Sequence, residues 1–191
     1  MSDKYKIRDI DKAYFITMTI VDWVDVFTRP KQKHAIADSL NYCIRNKGLT
    51  VFGYVIMPNH IHLICRADGE NTLSDILRDF KKFTSKRIIK LIQEEHESRK
   101  KWMLDIFSNA CNHLKRDQKY KVWQDGNQAK EILSNNFFYE KLEYIHNNPV
   151  KKLIVENPED YLFSSARNYA ELDSYVDVFV AGHRPLKGSW D

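Results

Sequence analysis

Two histidines separated by a single isoleucine, His60 and His62, lie in an apolar segment at residues 51–69. The segment is otherwise typical of a buried β-hairpin, and an imidazole is costly to bury there unless a partner binds it. Because alternate residues of a strand face the same side of a sheet, the two rings would lie side by side. They could then bind one cation together. Histidines that are only hydrogen-bonded at the start of a strand are the alternative interpretation.

A tyrosine and an asparagine form the second candidate pair, in the segment FFYEKLEYIHNNPV at residues 137–150. On a helix, Tyr144 and Asn148 lie one turn apart on a flank of the buried stripe. An amide oxygen can bind a hard divalent ion, and a phenol beside such an ion could attack phosphorus. Tyr139 and Glu143 have the same spacing, and many tyrosines serve only in packing. Spacing alone leaves these alternatives open.

A row of basic side chains recurs at every fourth position of a predicted helix at residues 72–95: Arg78, Lys82, Lys86 and Lys90. Charge patterning by itself favours a solvated helix face. Contact with the phosphates of a nucleic acid is the second interpretation. The net charge of +4 permits such a partner without requiring one.

The elements that must position these side chains begin with β-strands. Residues 13–21 are rich in β-branched and aromatic side chains and predict the first strand. Residues 49–57 and 60–67 predict two further strands, joined by a type I turn that Pro58 favours. A weaker fourth strand is predicted at KVWQD, residues 121–125.

Three helices complete the pattern. Residues 34–48 have helical spacing and end at a glycine, and the apolar stripe of residues 72–95 includes Phe83. A helix at residues 135–148 is expected to stop at Pro149, because the residue before a proline avoids helical angles. The order β-α-β-β-α-β followed by a helix predicts an α+β, ferredoxin-like split β-α-β fold. It has a central antiparallel sheet and a C-terminal helix that carries Tyr144.

The composition limits the class of protein. A chain of 191 residues with 43% hydrophobic side chains can form a proper core. Three widely spaced cysteines make a disulfide framework or a cysteine zinc site a poor interpretation. The sequence contains neither a secretory signal nor an apolar run long enough to span a membrane, so we expect a cytoplasmic protein without a membrane partner.

The predicted division of the chain is one catalytic domain at residues 1–170 and a short tail. Residues 96–121 are charged with scattered apolar anchors and predict a helical insertion. Residues 171–191 carry enough apolar side chains to pack on the domain as a C-terminal tail.

Five ordered blocks of the sequence resemble the REP-associated tyrosine transposases, within the single-tyrosine HUH transposases and nucleases. Together the blocks span most of residues 13–170, which is far more specific than one His-x-His pair. The blocks are YFITMTIVDW, GYVIMPNHIHLI, LSDILRDFKKFTSK, VWQDG and KLEYIHNNPVKKLIVENPEDYLFSSARNY.

The resemblance implies a role for each candidate residue. By position, His60 and His62 match the metal-binding pair, Tyr144 matches the nucleophile, and Asn148 matches the third ligand. Tyr139 does not match the family's tyrosine. The implied cofactor is Mg²⁺ or Mn²⁺, and Arg78, Lys82 and Lys86 become candidate DNA contacts.

The sequence departs from the family at a few positions. Leu153 occupies a place where the family commonly has glycine, and Phe163 one where it often has tryptophan. Asn148 replaces the glutamine of the shorter insertion-sequence transposases and directly precedes a proline. His146 is therefore an alternative third ligand.

The implied activity is cleavage and rejoining of single-stranded or hairpin DNA through a covalent 5′-phosphotyrosine, which serves DNA transposition. Two alternatives are a DNA-hairpin binding protein without transposition and a metal-dependent phosphodiester hydrolase. The hydrolase normally requires a carboxylate base, and the His-x-His block has none. The long connection before the tyrosine helix and the extension after it favour a monomer, with a dimer as the alternative.

Overall fold

One antiparallel sheet of four strands forms the centre of the molecule: β1 (Tyr14–Thr19), β2 (Leu49–Ile56), β3 (His60–Ala67) and β4 (Lys130–Glu131). The structure is a computed structural model that describes residues 7, 12–96, 98–112 and 118–182. The strands lie in the order β2-β3-β1-β4, and every neighbouring pair is antiparallel. With a helix in each crossover, this arrangement confirms the predicted α+β, ferredoxin-like fold.

The described residues also form five α-helices: α1 (Pro30–Lys47), α2 (Leu73–Glu94), α3 (Lys100–Asn109), α4 (Asn135–Lys151) and α5 (Ala166–Tyr169). α1 and α2 pack together on one face of the sheet, and α4 covers β2 and β3 on the other. Two residues of β3 with opposite orientation show this: Cys65 lies near Cys43 of α1, and His62 lies against Tyr144 of α4. In the described ranges, no helix is long and apolar enough to cross a bilayer.

The ends of α1 and α2 have local sequence causes. Gly48 follows α1 with a φ of 73°, and its amide donates to the carbonyl of Cys43. A side chain there would be strained, so the predicted stop at this glycine is confirmed. At the start of α2, the hydroxyl of Thr72 accepts a hydrogen bond from the backbone amide of Asp75 at 3.1 Å.

The fourth strand differs from the prediction at residues 121–125. β4 lies further along the chain and contains only two residues, both charged, so it has no hydrophobic period to detect. Trp123 forms a single isolated bridge with Ile20. Its indole packs toward α2 and donates a hydrogen bond to the hydroxyl of Thr84 at 3.0 Å. The apolar content of this segment therefore serves packing more than strand pairing.

Two predictions about helices were wrong. Phe83 is not part of the buried stripe of α2, because its side chain is 61% exposed and lines a groove of about 640 Å³ between α1 and α2. α4 also does not stop before Pro149 but continues to Lys151. The proline lies in the last turn, where it removes a single backbone donor. Backbone hydrogen bonds from Lys152 to Asn148 and from Ile154 to the proline carbonyl close the helix end.

The segments predicted as an insertion and a tail are described in part. α3 lies within residues 96–121, of which residues 97 and 113–117 are outside the described part. Residues 171–182 follow α5, and residues 183–191 are again outside it. Three backbone hydrogen bonds join the outer edge of β2 to the chain that follows α4: Ile56 to Phe163, Ser165 to Tyr54 and Phe179 to Val51.

Candidate active site

The two histidines open β3 and share one face of the sheet, as the strand period predicts, and α4 covers that face. Their ring centroids are 4.7 Å apart, with planes inclined by 70°. His60 is 9% exposed and His62 is 5% exposed, so both are buried polar side chains. Phe15 of β1 stacks on His62 with ring centroids 5.3 Å apart and closes one side of the pair.

Each imidazole has a hydrogen-bond partner on its Nδ1 atom. The Nδ1 of His60 lies 2.7 Å from Oδ1 of Asn59, whose amide nitrogen donates to Asp25. Since this amide oxygen can only accept, His60 carries its proton on Nδ1 and directs a lone pair outward from Nε2. The Nδ1 of His62 lies 2.9 Å from the hydroxyl of Thr17 on the neighbouring strand. Partners of this kind orient imidazoles that bind metals.

Burial keeps both rings neutral at physiological pH. It lowers the pKa of His60 to about 4, with a further contribution from the nearby Lys152 ammonium. It lowers the pKa of His62 to about 3, and the neighbouring imidazole adds to the shift. A neutral imidazole is the form that binds a cation, so protons do not compete for these nitrogens near pH 7.

α4 brings a tyrosine against this pair. Its first turn is capped by Ser134, whose hydroxyl accepts from the backbone amide of Phe137 at 3.2 Å. One face of the helix is buried on the sheet by Phe138, Leu142 and Ile145. Tyr144 lies on the flank, 40% exposed, with its ring centroid 5.2 Å from that of His62. One side of this phenol faces the histidines, and solvent can reach the rest.

Across the residues that the structure describes, two buried polar atoms of this region have no hydrogen-bond partner: Nε2 of His62, and Oδ1 of Asn148, which lies one helical turn after Tyr144 on α4. A buried lone pair without a partner is costly, and a bound cation is one group that satisfies an imidazole nitrogen or an amide oxygen of this kind. Among the described residues, no three His, Cys, Asp or Glu side chains cluster in a way that could hold a metal. Two imidazole nitrogens and one amide oxygen nevertheless fit a divalent ion that accepts oxygen ligands.

The alternative residues on α4 lie elsewhere. Tyr139 is 45% exposed, and its hydroxyl is 3.5 Å from the carbonyl oxygen of Gly182 in the tail. The Nε2 of His146 lies 2.9 Å from the hydroxyl of Ser165, and its ring packs on Tyr169. The structure thus brings neither side chain into contact with the histidine pair, whereas it does so for Tyr144.

Two lysines on α4 were not among the predicted site residues. The Nζ atoms of Lys141 and Lys151 lie 6.0 and 5.9 Å from the centroid of the Tyr144 ring. Four residues of α4 are spaced by three, four and three positions: Lys141, Tyr144, Asn148 and Lys151. This spacing places them on one face of the helix. That spacing was available in the sequence and could have identified both lysines.

The predicted DNA contacts on α2 are separated from this site. Lys82 and Lys86 are exposed, and Arg78 is exposed and paired with Asp75 and Asp79. α2 packs on the face of the sheet opposite α4, so this basic row and Tyr144 lie on different sides of the molecule. Any nucleic acid that touches both must pass around the sheet.

The fold and the site together define a class of protein, an antiparallel α+β domain in which a buried histidine pair faces a tyrosine on a helix. The sequence model of one family, described as transposase IS200 like, matches residues 13–121. This is more than half of the chain, and the chain belongs to the IS200-like transposase family. The predicted family is confirmed at this level, and membership implies a transposase-like protein that binds and cleaves DNA.

One of two similar solved structures shares the fold of this chain. A REP-associated tyrosine transposase bound to a REP hairpin is 21% identical, with a TM-score of 0.61, and the match covers 98% of this chain and 100% of that one. A provisionally named transposase from Deinococcus radiodurans R1 is 16% identical, with a TM-score of 0.44, and the match covers 76% and 97%. No curated protein matches the chain.

Proposed function

We propose that this chain is a tyrosine transposase of the REP-associated type, which cleaves and rejoins single-stranded or hairpin DNA through a covalent 5′-phosphotyrosine. The observation that carries the proposal is the contact between Tyr144 and His62. It is supported by two buried polar atoms, Nε2 of His62 and Oδ1 of Asn148, that have no partner in the described part of the chain. The similar solved transposase is bound to a REP hairpin, which supports the same class of substrate here.

The proposed chemistry assigns one role to each side chain. His60, His62 and Asn148 would hold Mg²⁺ or Mn²⁺, which polarises the scissile phosphate and offsets negative charge on its oxygens. The Tyr144 hydroxyl loses its proton as its oxygen bonds to phosphorus. The bond from phosphorus to the 3′ oxygen breaks, and that oxygen leaves as a 3′-hydroxyl. The reverse attack by another 3′-hydroxyl joins strands without an external energy source.

Basic side chains would bind the DNA at two places. The exposed Lys151 lies near the Tyr144 ring and would contact phosphates next to the cleaved bond. Lys141 lies at a similar distance from the ring, but it is paired with Glu140 and would have to exchange this carboxylate for a phosphate. Arg78, Lys82 and Lys86 on α2 would contact a more distant part of the substrate, such as the stem of a hairpin. Both contacts are electrostatic, so binding should weaken steeply as salt concentration rises.

A covalent adduct tests the proposal directly. Incubation of the protein with a hairpin oligonucleotide, labelled on the 5′-phosphate side of the break, and Mn²⁺ should leave label attached after denaturation. Peptide mapping should place it on Tyr144, because attack by a phenol leaves a stable link and attack by water does not. Tyr144→Phe should remove the adduct while the fold and hairpin binding persist.

Tyr139→Phe is the matched control, since this tyrosine is on the same helix with similar exposure. It should form the adduct at the wild-type level. An adduct on Tyr139, or undiminished cleavage by Tyr144→Phe, would refute the assignment of the nucleophile. Tight hairpin binding with neither adduct nor cleavage would instead favour the binding protein without transposition.

A further inference from the structure

A large aromatic side chain lies exposed at the rim of the candidate active site. Trp23 is 57% exposed, and its ring centroid is 6.0 Å from that of His60, with planes inclined by 71°. The histidine beside it is buried, so the indole forms a border between the site and solvent. Indoles usually bury much of their surface, and a ring exposed to this degree beside reactive groups suggests a contact with another molecule.

The backbone that presents this ring has a conformation that L residues rarely adopt. Asp22 has a φ of 51° and Trp23 a φ of 55°, so two consecutive residues other than glycine are left-handed. Such strain persists only where the surroundings hold it, and it concentrates at functional sites. Here the backbone amide of Val21 donates to Val122, and that of Trp23 donates to Ile20. The turn is therefore fixed from both sides.

One side chain connects this turn to the histidine pair. The amide nitrogen of Asn59 lies 3.3 Å from the carbonyl oxygen of Trp23 and 2.8 Å from a carboxylate oxygen of Asp25. Its amide oxygen accepts from His60. The backbone amide of Ile20 also donates to the carbonyl of Asn59 at 2.9 Å. The position of the indole is thus coupled to the position of the imidazole.

The opposite border of the site has a different chemistry. There the ammonium group of the exposed Lys151 lies 5.9 Å from the centroid of the Tyr144 ring. Lys141 lies 6.0 Å from the same centroid but is paired with Glu140. An exposed aromatic face on one side and positive charge on the other match the two parts of an unpaired nucleotide, its base and its phosphate. A base inside a duplex has both faces covered by its neighbours and could not stack on the indole.

We propose that Trp23 is the stacking platform for one unpaired nucleobase next to the phosphate that Tyr144 attacks. The proposal rests on the function proposed above and adds a subsite to it. The substrate must then be single-stranded at that nucleotide, even where a hairpin stem adjoins it. Stacking tolerates every base because each has a flat π-face, so this subsite would select strandedness more than sequence.

An abasic scan tests the subsite. Tyr144→Phe serves as the background, so that binding is measured without cleavage. The probe is a fluorescent hairpin with a single-stranded thymidine extension, and each extension position in turn lacks its base. One position should weaken binding by about tenfold to a hundredfold, as expected for the loss of one stacked base. Adding Trp23→Ala should weaken binding of the intact probe to a similar degree and make the abasic positions equivalent.

Further variants separate stacking from simple cover of the histidine. Trp23→Phe should retain most of the affinity, whereas Trp23→Leu, which keeps apolar bulk without a π-face, should bind as weakly as Trp23→Ala. Tyr42→Ala is the control, because this tyrosine is 58% exposed on α1, in the layer on the other side of the sheet. It should leave the scan unchanged.

The outcomes distinguish this inference from the function on which it rests. Two results would overturn the subsite. One is a Trp23→Leu variant that binds the intact probe as tightly as the Tyr144→Phe background, and the other is an abasic loss of affinity that persists after Trp23→Ala. If the protein with Tyr144 intact forms its adduct while the scan shows no sensitive position, the subsite fails and the proposed function stands. If no adduct forms at all, the proposed function fails first.

Discussion

Thr17 should affect metal binding at the site through its hydrogen bond to His62. Its hydroxyl is the partner of Nδ1 of His62, 2.9 Å away. Thr17→Val keeps the shape but removes this partner, so the ring loses its orientation. We expect divalent metal affinity to fall by about tenfold to a hundredfold, the usual effect of such partners. Calorimetric titration of the protein with Mn²⁺ in the absence of DNA measures it.

Two variants serve as controls for this prediction. Thr17→Ser restores a hydroxyl and should recover most of the affinity. Thr50→Val removes a hydroxyl that bonds to Asp68 at the surface, and it should leave metal binding unchanged. Equal affinities of wild type and Thr17→Val would contradict the orienting role.

At this scale, the sequence predicted the residues whose types are rare in their surroundings. The histidine pair is conspicuous in an apolar strand, and the period of a strand predicted that both rings share one face of the sheet. Thr17 and Asn59 could not be predicted in the same way, because threonine in a strand and asparagine in a turn are ordinary. Their contact with His62 and His60 depends on the register of β1 and on the turn geometry, which only the folded chain defines.

At the C-terminal end of α4, a residue other than glycine adopts a left-handed backbone conformation. Leu153 has a φ of 56°, and backbone bonds from Leu153 to Val150 and from Ile154 to Pro149 form a Schellman motif around it. Glycine is the usual residue at this position, and leucine there is 92% exposed with no packing to lose. We expect Leu153→Gly to raise the free energy of unfolding by about 1 kcal/mol.

Urea denaturation of the two proteins measures this difference. Leu133→Gly is the control, because Leu133 is also exposed and its φ is not in the left-handed region. That change should lower stability, since glycine only adds conformational freedom to the unfolded chain. A loss of stability in both variants would show that the helix end does not strain Leu153.

The elements that the sequence predicted well have long, regular patterns. β1, β2, β3, α1 and α2 each have several residues in period, and capping or turn residues mark some of their ends. β4 and the final turn of α4 have no such pattern. A pair of charged residues forms a strand only because β1 offers a free edge, and a helix passes Pro149 because the turn after it closes on its own carbonyls. Neither cause can be detected in a local window.

At the scale of the whole molecule, two buried histidines and the half-buried His146 should make stability depend on pH. Burial lowers the pKa of His60 and of His146 to about 4, and that of His62 to about 3, from an ordinary 6.5. The unfolded chain binds protons below pH 6.5 while the folded chain does not. Stability is therefore complete above this pH and is lost as pH falls toward 4, by roughly 2 to 3 kcal/mol per histidine.

Urea denaturation of metal-free protein at a series of pH values between 6.5 and about 4 checks this prediction. His146→Gln should reduce the slope of stability against pH, because glutamine does not titrate and can still reach the hydroxyl of Ser165. The carboxylates of Asp75 and Asp79, whose pKa values are lowered by hydrogen bonds to Thr72 and Lys47, titrate in a more acidic range. A flat profile would mean that the histidines are not desolvated.

The arrangement of the site also predicts how many copies of the chain form one active site. His62 and Tyr144 of the same chain lie with ring centroids 5.2 Å apart, so one chain contains all the proposed groups. The segment after α4 covers the outer edge of β2 through Phe163, Ser165 and Phe179. A covered edge cannot pair with the sheet of a second copy. We therefore expect a monomer that acts in cis.

Mixing two inactive variants tests this expectation. Tyr144→Phe retains the histidines, and His62→Ala retains the nucleophile, so a site shared between two chains would be restored in the mixed dimer. In a monomer each chain keeps its own defect, and the mixture should form no DNA adduct at any protein concentration. Light scattering should give the mass of one chain, 22.7 kDa, for the free protein. For the complex it should give that mass plus the mass of one hairpin. A stable dimer whose mixture regains adduct formation would show that α4 is exchanged between subunits and that the contact between His62 and Tyr144 forms in trans.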